Sequence, residues 1–298
     1  MELNLLSQIA NVVTWTFNPD FISHPITIRW YGVMFAIGFI VGVMLISRMF
    51  KHEGEKSSWA DSLFIYVVIC TIVGARLGHV FFYAWDEWYS SHPMDIFKIW
   101  EGGLASHGGA IGILIGLFIY SAAVTKRNVL WTLDRLVVPV AFVGGLIRLG
   151  NLFNHEIYGH ATDLPWGFRF ITNLESWMHG AQPIFSLPSH PTQIYEALCY
   201  FALFGLLMYM YWKRNAEERQ GLLSGVFFVI LFTARFLIEF IKNPQEDFEV
   251  GMVLNMGQLL SIPFIIAGVV LIVRAMRRDR VPIEYKNAFA PEDGKKKK

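Results

Sequence analysis

The sequence WYGVMFAIGFIVGVMLIS, residues 30–47, contains no charged side chain and is flanked by Arg29 and Arg48. A helix of about 20 mainly apolar residues crosses the roughly 30 Å of hydrocarbon in a bilayer. The stretch therefore predicts a transmembrane helix. We expect no cleaved signal peptide before it, because Met1 to Asp20 contain neither Lys nor Arg and no clean apolar core.

The composition of the whole chain is typical of a membrane protein. Of its 298 residues, 54% are hydrophobic and 16% are charged, whereas soluble domains average roughly 45–50% apolar and about 25% charged. The net charge of +1 gives no global field that would favour nucleic acid as a partner. Both cysteines, Cys70 and Cys199, lie in apolar runs, which predicts buried thiols and argues against a disulfide framework or a cysteine metal site.

Further apolar stretches follow along the chain, and we predict an all-α polytopic membrane protein with about seven transmembrane helices. The predicted spans are 29–49, 61–84, 105–124, 131–150, 191–212, 221–241 and 253–274. The fourth span is interrupted by Pro139 and paired glycines. Such residues are tolerated where neighbouring helices cover the freed backbone groups.

The distribution of basic residues predicts the orientation. If the spans alternate, 18 of the 25 Lys and Arg residues lie on one side of the membrane and three on the other. The positive-inside rule then places the N-terminus outside and the C-terminus in the cytoplasm. We expect an N-terminal interfacial segment (1–28), transmembrane helices one to four (29–150), a small extracytoplasmic head (151–189), helices five to seven (190–276) and a basic, disordered cytoplasmic tail (277–298).

Four arginines remain within or at the mouth of apolar spans, namely Arg29, Arg76, Arg148 and Arg235. With the orientation above, all four fall in the outer half of the bilayer. An ionised side chain at the bilayer centre costs at least about 2.5–3.5 kcal/mol, so such residues usually mark function. Guanidinium binds phosphate through paired, charge-assisted hydrogen bonds. The phosphates present at that depth belong to phospholipid headgroups, so these residues predict a phospholipid site.

Structural explanations of the same residues stay open at this point. Arg29 and Lys242 could extend to the interface while their stems remain in apolar surroundings. Arg235 and Glu239 are four residues apart on one helix face and could form an internal ion pair.

The segment GGLIRLGNLFNHE, residues 144–156, carries the strongest polar signal. Arg148, Asn151, Asn154 and Glu156 fall within nine residues at the end of an apolar span. Packing between membrane helices does not explain this density of polar groups, so the segment favours a site over a capped helix end. A second run, GGLASHGG at 102–109, places a histidine among glycines that permit close backbone approach.

Several classes of site have no sequence support. The chain has no nucleotide-binding Gly-x4-Gly-Lys-Ser/Thr loop, no His-Glu-x-x-His metal motif and no Gly-x-Ser-x-Gly nucleophile elbow. We therefore predict neither a cofactor nor a metal.

Taken together, seven segments resemble the prolipoprotein diacylglyceryl transferases. The segment RLGNLFNHEIYG at 148–159 is similar to the signature of that family. The other matching segments, in family order, are RWYG at 29–32, GARLG at 74–78, GGLASHGG at 102–109, HPTQIYE at 190–196, RFLIE at 235–239 and MGQ at 256–258. Ile147, Leu152, His160 and Leu231 differ from the residues that are usual in the family at these positions.

The resemblance implies an enzyme of the bacterial cytoplasmic (inner) membrane with its active site toward the extracytoplasmic face. The family transfers the diacylglyceryl group of phosphatidylglycerol to the lipobox cysteine of a prolipoprotein signal peptide, which forms a thioether and releases glycerol phosphate. By similarity, His107, Arg148 and Arg235 are catalytic or phosphate-binding. Tyr31, Asn151, Asn154, Glu156 and Glu239 are expected to support them, and the depth of Arg76 adds it to the phospholipid-binding residues.

Two other classes of function are weighed against this one. A channel or transporter for an anionic solute predicts polar residues along a whole crossing, whereas the inner halves of the spans carry almost no ionisable groups. A different phospholipid-modifying enzyme would use water or another alcohol in place of the thiol. Supplying phosphatidylglycerol and a lipobox peptide separates the three.

Overall fold

The computed structural model describes residues 12–99, 102–103, 105–243 and 252–281. Within them, seven helices are long and apolar enough to cross a membrane, which confirms the predicted fold class. The helices are α1 (Trp30–His52), α2 (Ser58–Tyr83), α3 (Ser106–Tyr120), α4 (Val129–Phe153), α5 (Leu174–Met178), α6 (Thr192–Arg214), α7 (Leu222–Ile238) and α8 (Met256–Arg277). The short α5 is not one of the seven.

Irregular turns extend two of the spanning helices. A π-helical segment at Ser121–Thr125 continues α3, and a 3₁₀ turn at Glu239–Ile241 continues α7. Pro139 lies inside α4 and does not end it, so the fourth span is one helix of 25 residues. Shorter helical turns lie at Trp85–Tyr89, Pro93–Phe97 and Ala216–Glu218.

In the described part of the chain, four short strands lie outside the spanning helices: β1 (Val13–Thr14), β2 (Asp20–Ile22), β3 (Ile28–Arg29) and β4 (Phe168–Arg169). β2 and β3 form an antiparallel pair. β1 pairs in parallel with β4, with Val13 opposite Phe168. The described part of the N-terminal segment is therefore hydrogen-bonded to the segment predicted as a separate head.

The described chain divides into two compact units. The first contains residues 12–42, 137–243 and 252–280, and the second contains 43–99, 102–103, 105–136 and 281. Of the predicted basic tail, only the residues before 282 are described, and residues 282–298 lie outside the described chain.

Small residues allow close helix packing in the first unit. A Cβ at Gly145 on α4 would lie 2.6 Å from Phe201 Cε1 on α6. A Cβ at Gly225 on α7 would lie 2.9 Å from the carbonyl oxygen of Gly268 on α8. A larger residue at Gly225 would push α7 and α8 apart, and one at Gly145 would displace the Phe201 ring. The same helices carry the polar groups described below.

The second unit contains α2, α3 and a buried ion pair. A Cβ at Gly112 on α3 would lie 2.0 Å from the carbonyl oxygen of Cys70 on α2, so the two backbones are in contact. Arg135 is fully buried, and its Nε and Nη2 donate to the Glu53 carboxylate at 2.9 and 2.8 Å. The sequence-based count of basic residues treated Arg135 as part of a cytoplasmic connection, but it lies inside α4 with a carboxylate as its partner.

Candidate functional site

The C-terminal end of α4 is a turn that folds the chain back on the helix. Glu156 N donates to Asn151 O at 3.1 Å, and His155 N donates to Leu152 O at 3.1 Å. These are the paired bonds of a Schellman motif. His155 has a left-handed backbone with φ of 56° at the position where glycine is usual. The helix end is therefore capped by its own backbone, and the same cap places the predicted site residue Glu156 beside Asn151.

The ring of His155 fixes this turn from the inside. The buried imidazole accepts a hydrogen bond at Nδ1 from Ile171 N at 3.2 Å and donates from Nε2 to Phe17 O at 2.9 Å. One nitrogen accepts and the other donates, which is the pattern of a neutral imidazole. Burial lowers the pKa of His155, although its hydrogen bond to Phe17 opposes that shift. His155 thus ties the turn to the N-terminal segment and the head.

Four of the predicted site residues form one hydrogen-bonded network. Arg148 Nη1 donates to Asn151 Oδ1 at 3.1 Å. Asn151 Nδ2 donates to Glu156 Oε1 at 2.9 Å, and Asn154 Nδ2 donates to the same oxygen at 3.2 Å. The amide of Asn151 therefore links a cation to an anion and fixes the direction of both.

Helix α6 contributes two residues that connect the predicted arginines. Glu196 is buried, and its Oε2 forms an ion pair with Arg148 Nε. The buried Tyr200 side chain, one turn along α6, lies close enough to Arg148 and Arg235 to interact with both. Arg148 on α4 and Arg235 on α7 are thus brought to one tyrosine. Neither Glu196 nor Tyr200 was among the predicted site residues, although the charge of Glu196 in an apolar span was a visible signal.

Lys242 also belongs to this cluster, and sequence reasoning missed it. Its Nζ lies 3.6 Å from Glu196 Oε1 and 3.6 Å from Glu239 Oε2. The residue is 2% exposed, so it does not extend to an interface as one sequence interpretation allowed. Burial lowers the pKa of Lys242, and the two nearby carboxylates oppose that shift. Glu239 is a predicted site residue, and its ion pair is with Lys242 on the next turn.

Tyr31 lies against the same end of α4. A Cβ at Gly150 would be 2.8 Å from Tyr31 Cδ2, so the glycine is needed for this approach. The structure therefore brings Tyr31, Arg148, Asn151, Asn154, Glu156, Arg235 and Glu239 into the first unit as neighbours of one cluster.

A cavity of about 340 Å³ opens beside this network and is lined by Arg29, Asn154, Glu156 and residues 172–176. Arg29 Nη2 donates to Glu175 Oε1 at 2.8 Å. The Arg29 guanidinium lowers the pKa of Glu175 through this hydrogen bond. Arg29 is thus partly exposed at the cavity and paired with a carboxylate.

Arg76 belongs to the second unit, where its donors are used by backbone carbonyls. Nε donates to Ile96 O at 2.8 Å, Nη2 to Asp95 O at 2.5 Å and Nη1 to Gly102 O at 2.7 Å. The residue is 4% exposed, and its guanidinium lies over the Tyr89 ring at 5.2 Å. These contacts make Arg76 an anchor for the connection between α2 and α3.

His107 is the second residue of α3 and also belongs to the second unit. The helix follows Gly102 and Gly103, both of which have positive φ. The side chain of His107 lies outside the described part of the structure. Of the catalytic residues predicted from the sequence, Arg148 and Arg235 are brought together.

Within the residues that the structure describes, no three His, Cys, Asp or Glu side chains are grouped so that they could hold a metal ion. The charged groups of the first unit instead include two arginines and a lysine among buried carboxylates. Guanidinium and ammonium groups in such surroundings are suited to an anion such as phosphate.

Seven spanning helices and a buried cluster of cations and carboxylates define a multi-pass membrane protein with an internal polar site. The family model for prolipoprotein diacylglyceryl transferase matches residues 19–274. The chain belongs to the prolipoprotein diacylglyceryl transferase family. The predicted family and its transferase class are confirmed.

Curated relatives cover nearly the whole chain. A phosphatidylglycerol–prolipoprotein diacylglyceryl transferase of Porphyromonas gingivalis is 52% identical over 274 residues, which is 89% of this chain and 95% of the relative. The protein of the same name from Chloroherpeton thalassium is 44% identical over 90% of this chain and 96% of its own length. The protein of the same name from Tolumonas auensis is 44% identical over 87% of this chain and 96% of its own length.

Proposed function

We propose that this protein transfers the diacylglyceryl group of phosphatidylglycerol to the lipobox cysteine thiol of prolipoproteins. The product is a thioether, and glycerol phosphate is released. This would be the first step of lipoprotein maturation. The names of the curated relatives support the lipid and the protein substrate.

The observation that carries the proposal is the buried charge cluster in which Arg148 pairs with Glu196 and Lys242 lies between Glu196 and Glu239, with Arg235 close to the same carboxylates. Arg148 is further fixed by Asn151 and Glu196, so its guanidinium is held in one direction. Two oriented guanidinium groups can hold a phosphodiester by charge-assisted hydrogen bonds. Groups that are held in place before the reaction need no reorganisation when charge develops on the phosphate.

The reaction has one bond formed and one bond broken. The cysteine sulfur attacks the diacylglyceryl carbon that is bonded to the phosphate oxygen, and the carbon–oxygen bond breaks. The phosphate leaves with one more negative charge than it had as a diester. Arg148 and Arg235 stabilise that charge, which is the contribution expected of fixed cations near a leaving group.

The thiol must lose its proton, because thiolate is the nucleophile and a free thiol has a pKa of about 8.5. We propose that His107, or a carboxylate, removes this proton, since imidazole suits general base catalysis near neutral pH. Glu156 is the competing group. Its Oε1 already accepts two amide N–H groups, which suits a role in holding Asn151 and Asn154.

We place the site at the extracytoplasmic face of the bacterial inner membrane, with the N-terminus outside and the C-terminus in the cytoplasm. The excess of Lys and Arg on the opposite side supports this orientation. A secreted precursor and a lipid headgroup both reach that face. The proposal includes the five segments predicted from the sequence, which end at residues 28, 150, 189, 276 and 298.

The test supplies purified protein with phosphatidylglycerol and a synthetic lipobox peptide, and records the peptide mass. We expect an increase equal to one diacylglyceryl group. Arg148→Ala and His107→Gln should lower the rate by at least about 100-fold, the size typical of losing a general base or a fixed charge. Arg127→Ala is the matched control, because Arg127 is exposed and paired with Glu55 in the second unit.

The outcomes separate the alternatives. Unmodified peptide with the wild-type protein would overturn the proposal, and so would normal rates for both the Arg148 and His107 variants. Lipid cleavage without peptide modification would indicate another phospholipid-modifying enzyme. Anion flux into vesicles without either reaction would indicate a channel. Repeating the assay with phosphatidylethanolamine shows whether the glycerol headgroup is required.

A further inference from the structure

The backbone around Lys242 is fixed by the head. Lys242 forms an antiparallel bridge with Gly159, and His160 N donates to Ile241 O at 2.9 Å. A Cβ at Gly159 would lie 2.3 Å from Ile241 O, so only glycine permits this approach. Asn243 Nδ2 adds a hydrogen bond to Gly159 O at 2.9 Å. The side chain of Lys242 is consequently directed inward, with 1% of its surface exposed.

The ammonium group of Lys242 is placed between two buried carboxylates but is hydrogen-bonded to neither. Its distance to Glu196 Oε1 and to Glu239 Oε2 is 3.6 Å, which is beyond the usual range for a hydrogen bond. Nζ, Oε1 of Glu196 and Oε2 of Glu239 are buried without a hydrogen-bond partner among the described residues, whereas Oε2 of Glu196 is paired with Arg148 Nε. A buried ion without hydrogen bonds is costly, so its retention calls for a functional reason.

The charges of the buried cluster provide that reason. Arg148 and Arg235 carry two positive charges, and Glu196 and Glu239 carry two negative charges, so these four residues alone are neutral. Lys242 raises the total to one positive charge. The phosphate of a phosphodiester carries one negative charge. Glu156 is exposed and held by two amides, so it acts on the cluster from its edge.

We infer that Lys242 is a positioning residue that offsets the carboxylates of Glu196 and Glu239 and thereby leaves the arginine pair with net positive charge for the lipid phosphate. Each glutamate is attracted by the ammonium as well as by an arginine, which limits how far it neutralises the guanidinium groups. Because it concerns the phosphate of the proposed lipid substrate, this role of Lys242 rests on the proposed function.

The experiment removes the charge, keeps it or compensates for it. Lys242→Met is similar in length and uncharged, Lys242→Arg keeps the cation, and Lys242→Met with Glu196→Gln removes one charge of each sign. Initial rates are measured in mixed micelles, with KM expressed as the mole fraction of phosphatidylglycerol. A second readout is the rise in thermal unfolding temperature on adding glycerol phosphate, which does not depend on transfer.

We expect Lys242→Met to raise KM about tenfold while kcat falls less than threefold, because the phosphate is charged before the reaction begins. Lys242→Arg should retain a KM within about threefold of the wild-type value. The double variant should recover at least half of the tenfold increase in KM. Glycerol phosphate should raise the thermal unfolding temperature only of those proteins whose KM is low. If Lys242 served packing alone, adding Glu196→Gln to Lys242→Met would not lower the KM again.

Several results would overturn the role of Lys242. These are an unchanged KM in Lys242→Met, a loss confined to kcat, or a double variant no better than the single one. If Lys242→Met fails to fold in detergent, the double variant and Lys242→Arg still decide between charge and packing. Absence of transfer by the wild-type protein would instead count against the proposed function, and the glycerol phosphate shift would then test the anion site by itself.

Discussion

Asn151 is the residue through which Arg148 and Glu156 act on each other, because its amide accepts from one and donates to the other. Asn151→Asp keeps the acceptor but replaces the donor with a charged oxygen facing Glu156. A hydrogen bond to a charged group contributes about 1.5–3 kcal/mol, so we expect kcat/KM for the proposed transfer to fall roughly 10–100-fold. The assay that records the mass of the lipobox peptide over time measures kcat/KM for the variant.

Asn128→Asp is the matched control for this change. The side-chain oxygen of the exposed Asn128 accepts from Leu130 N at 2.9 Å, and aspartate caps a helix equally well. The transfer activity of the Asn128→Asp variant should stay at the wild-type level. If the Asn151 and Asn128 variants were equally active, the amide of Asn151 would have no part in orienting Arg148.

His155 gives the fold a pH dependence whose sign follows from its lowered pKa. Above the unfolded value of about 6.5, the imidazole is neutral in both states. Below that value the unfolded chain binds a proton that the folded ring resists, so stability falls as the pH falls toward the folded pKa. We expect the advantage of wild type over His155→Gln in unfolding temperature to shrink between pH 7.5 and pH 5. An advantage that grew on acidification would contradict this.

The buried pair of Arg135 and Glu53 should matter far more for stability than the pair of Arg127 and Glu55, in which the arginine is half-exposed. Glu53→Gln removes the negative charge to which Nε and Nη2 of the buried Arg135 are bonded, which costs roughly 3–5 kcal/mol. Glu55→Gln breaks a pair whose arginine is half-exposed, worth about 0–1 kcal/mol. Denaturant unfolding in detergent compares the two. Equal losses would show that Arg135 has another source of compensation.

At the scale of elements, the contact of α2 with α3 depends on particular glycines. Gly112→Ala would place a Cβ 2.0 Å from Cys70 O, so the helices must move apart, and we expect a loss of about 2 kcal/mol or more. Gly109→Ala on the same helix meets Thr71 Cγ2 at 3.5 Å, an ordinary contact. Its better helix propensity should leave stability unchanged or raised by up to about 1 kcal/mol.

Thermal unfolding of the two alanine variants provides the measurement. If Gly112→Ala were as stable as Gly109→Ala, the backbones of α2 and α3 would not be in the contact that the structure gives them. The pair isolates packing from propensity, because both changes add the same methyl group to the same helix.

The existence and extent of the spanning helices could be read from the sequence, because each needs only a long apolar run. The fourth span was predicted despite its proline, and α4 is indeed continuous through Pro139, because proline is tolerated in membrane helices. The end of α4 could not be predicted in the same way. Its Schellman turn has His155 in place of glycine, and that backbone is held by contacts with Phe17 and Ile171.

At the scale of the whole molecule, the orientation is a prediction from the basic residues. The test uses a protein in which both native cysteines are replaced, by Cys70→Ser and Cys199→Ser. In cells whose outer membrane has been removed and whose inner membrane is intact, Ala181→Cys in the head should react with a membrane-impermeant maleimide. Ser57→Cys, between α1 and α2, should react only after lysis. Both positions are exposed, so a difference reports sidedness. The reverse pattern would invert the proposed topology.

The sequence by itself determined the membrane class, the seven spans, the family and most of the residues gathered around Arg148 and Arg235. Those depend on local composition and on motifs, which are present in the chain before it folds. Only the tertiary structure decided which charges face one another. Lys242 comes to lie between Glu196 and Glu239, and Arg76 is bonded to backbone carbonyls, because burial and ion pairing depend on helices distant in sequence.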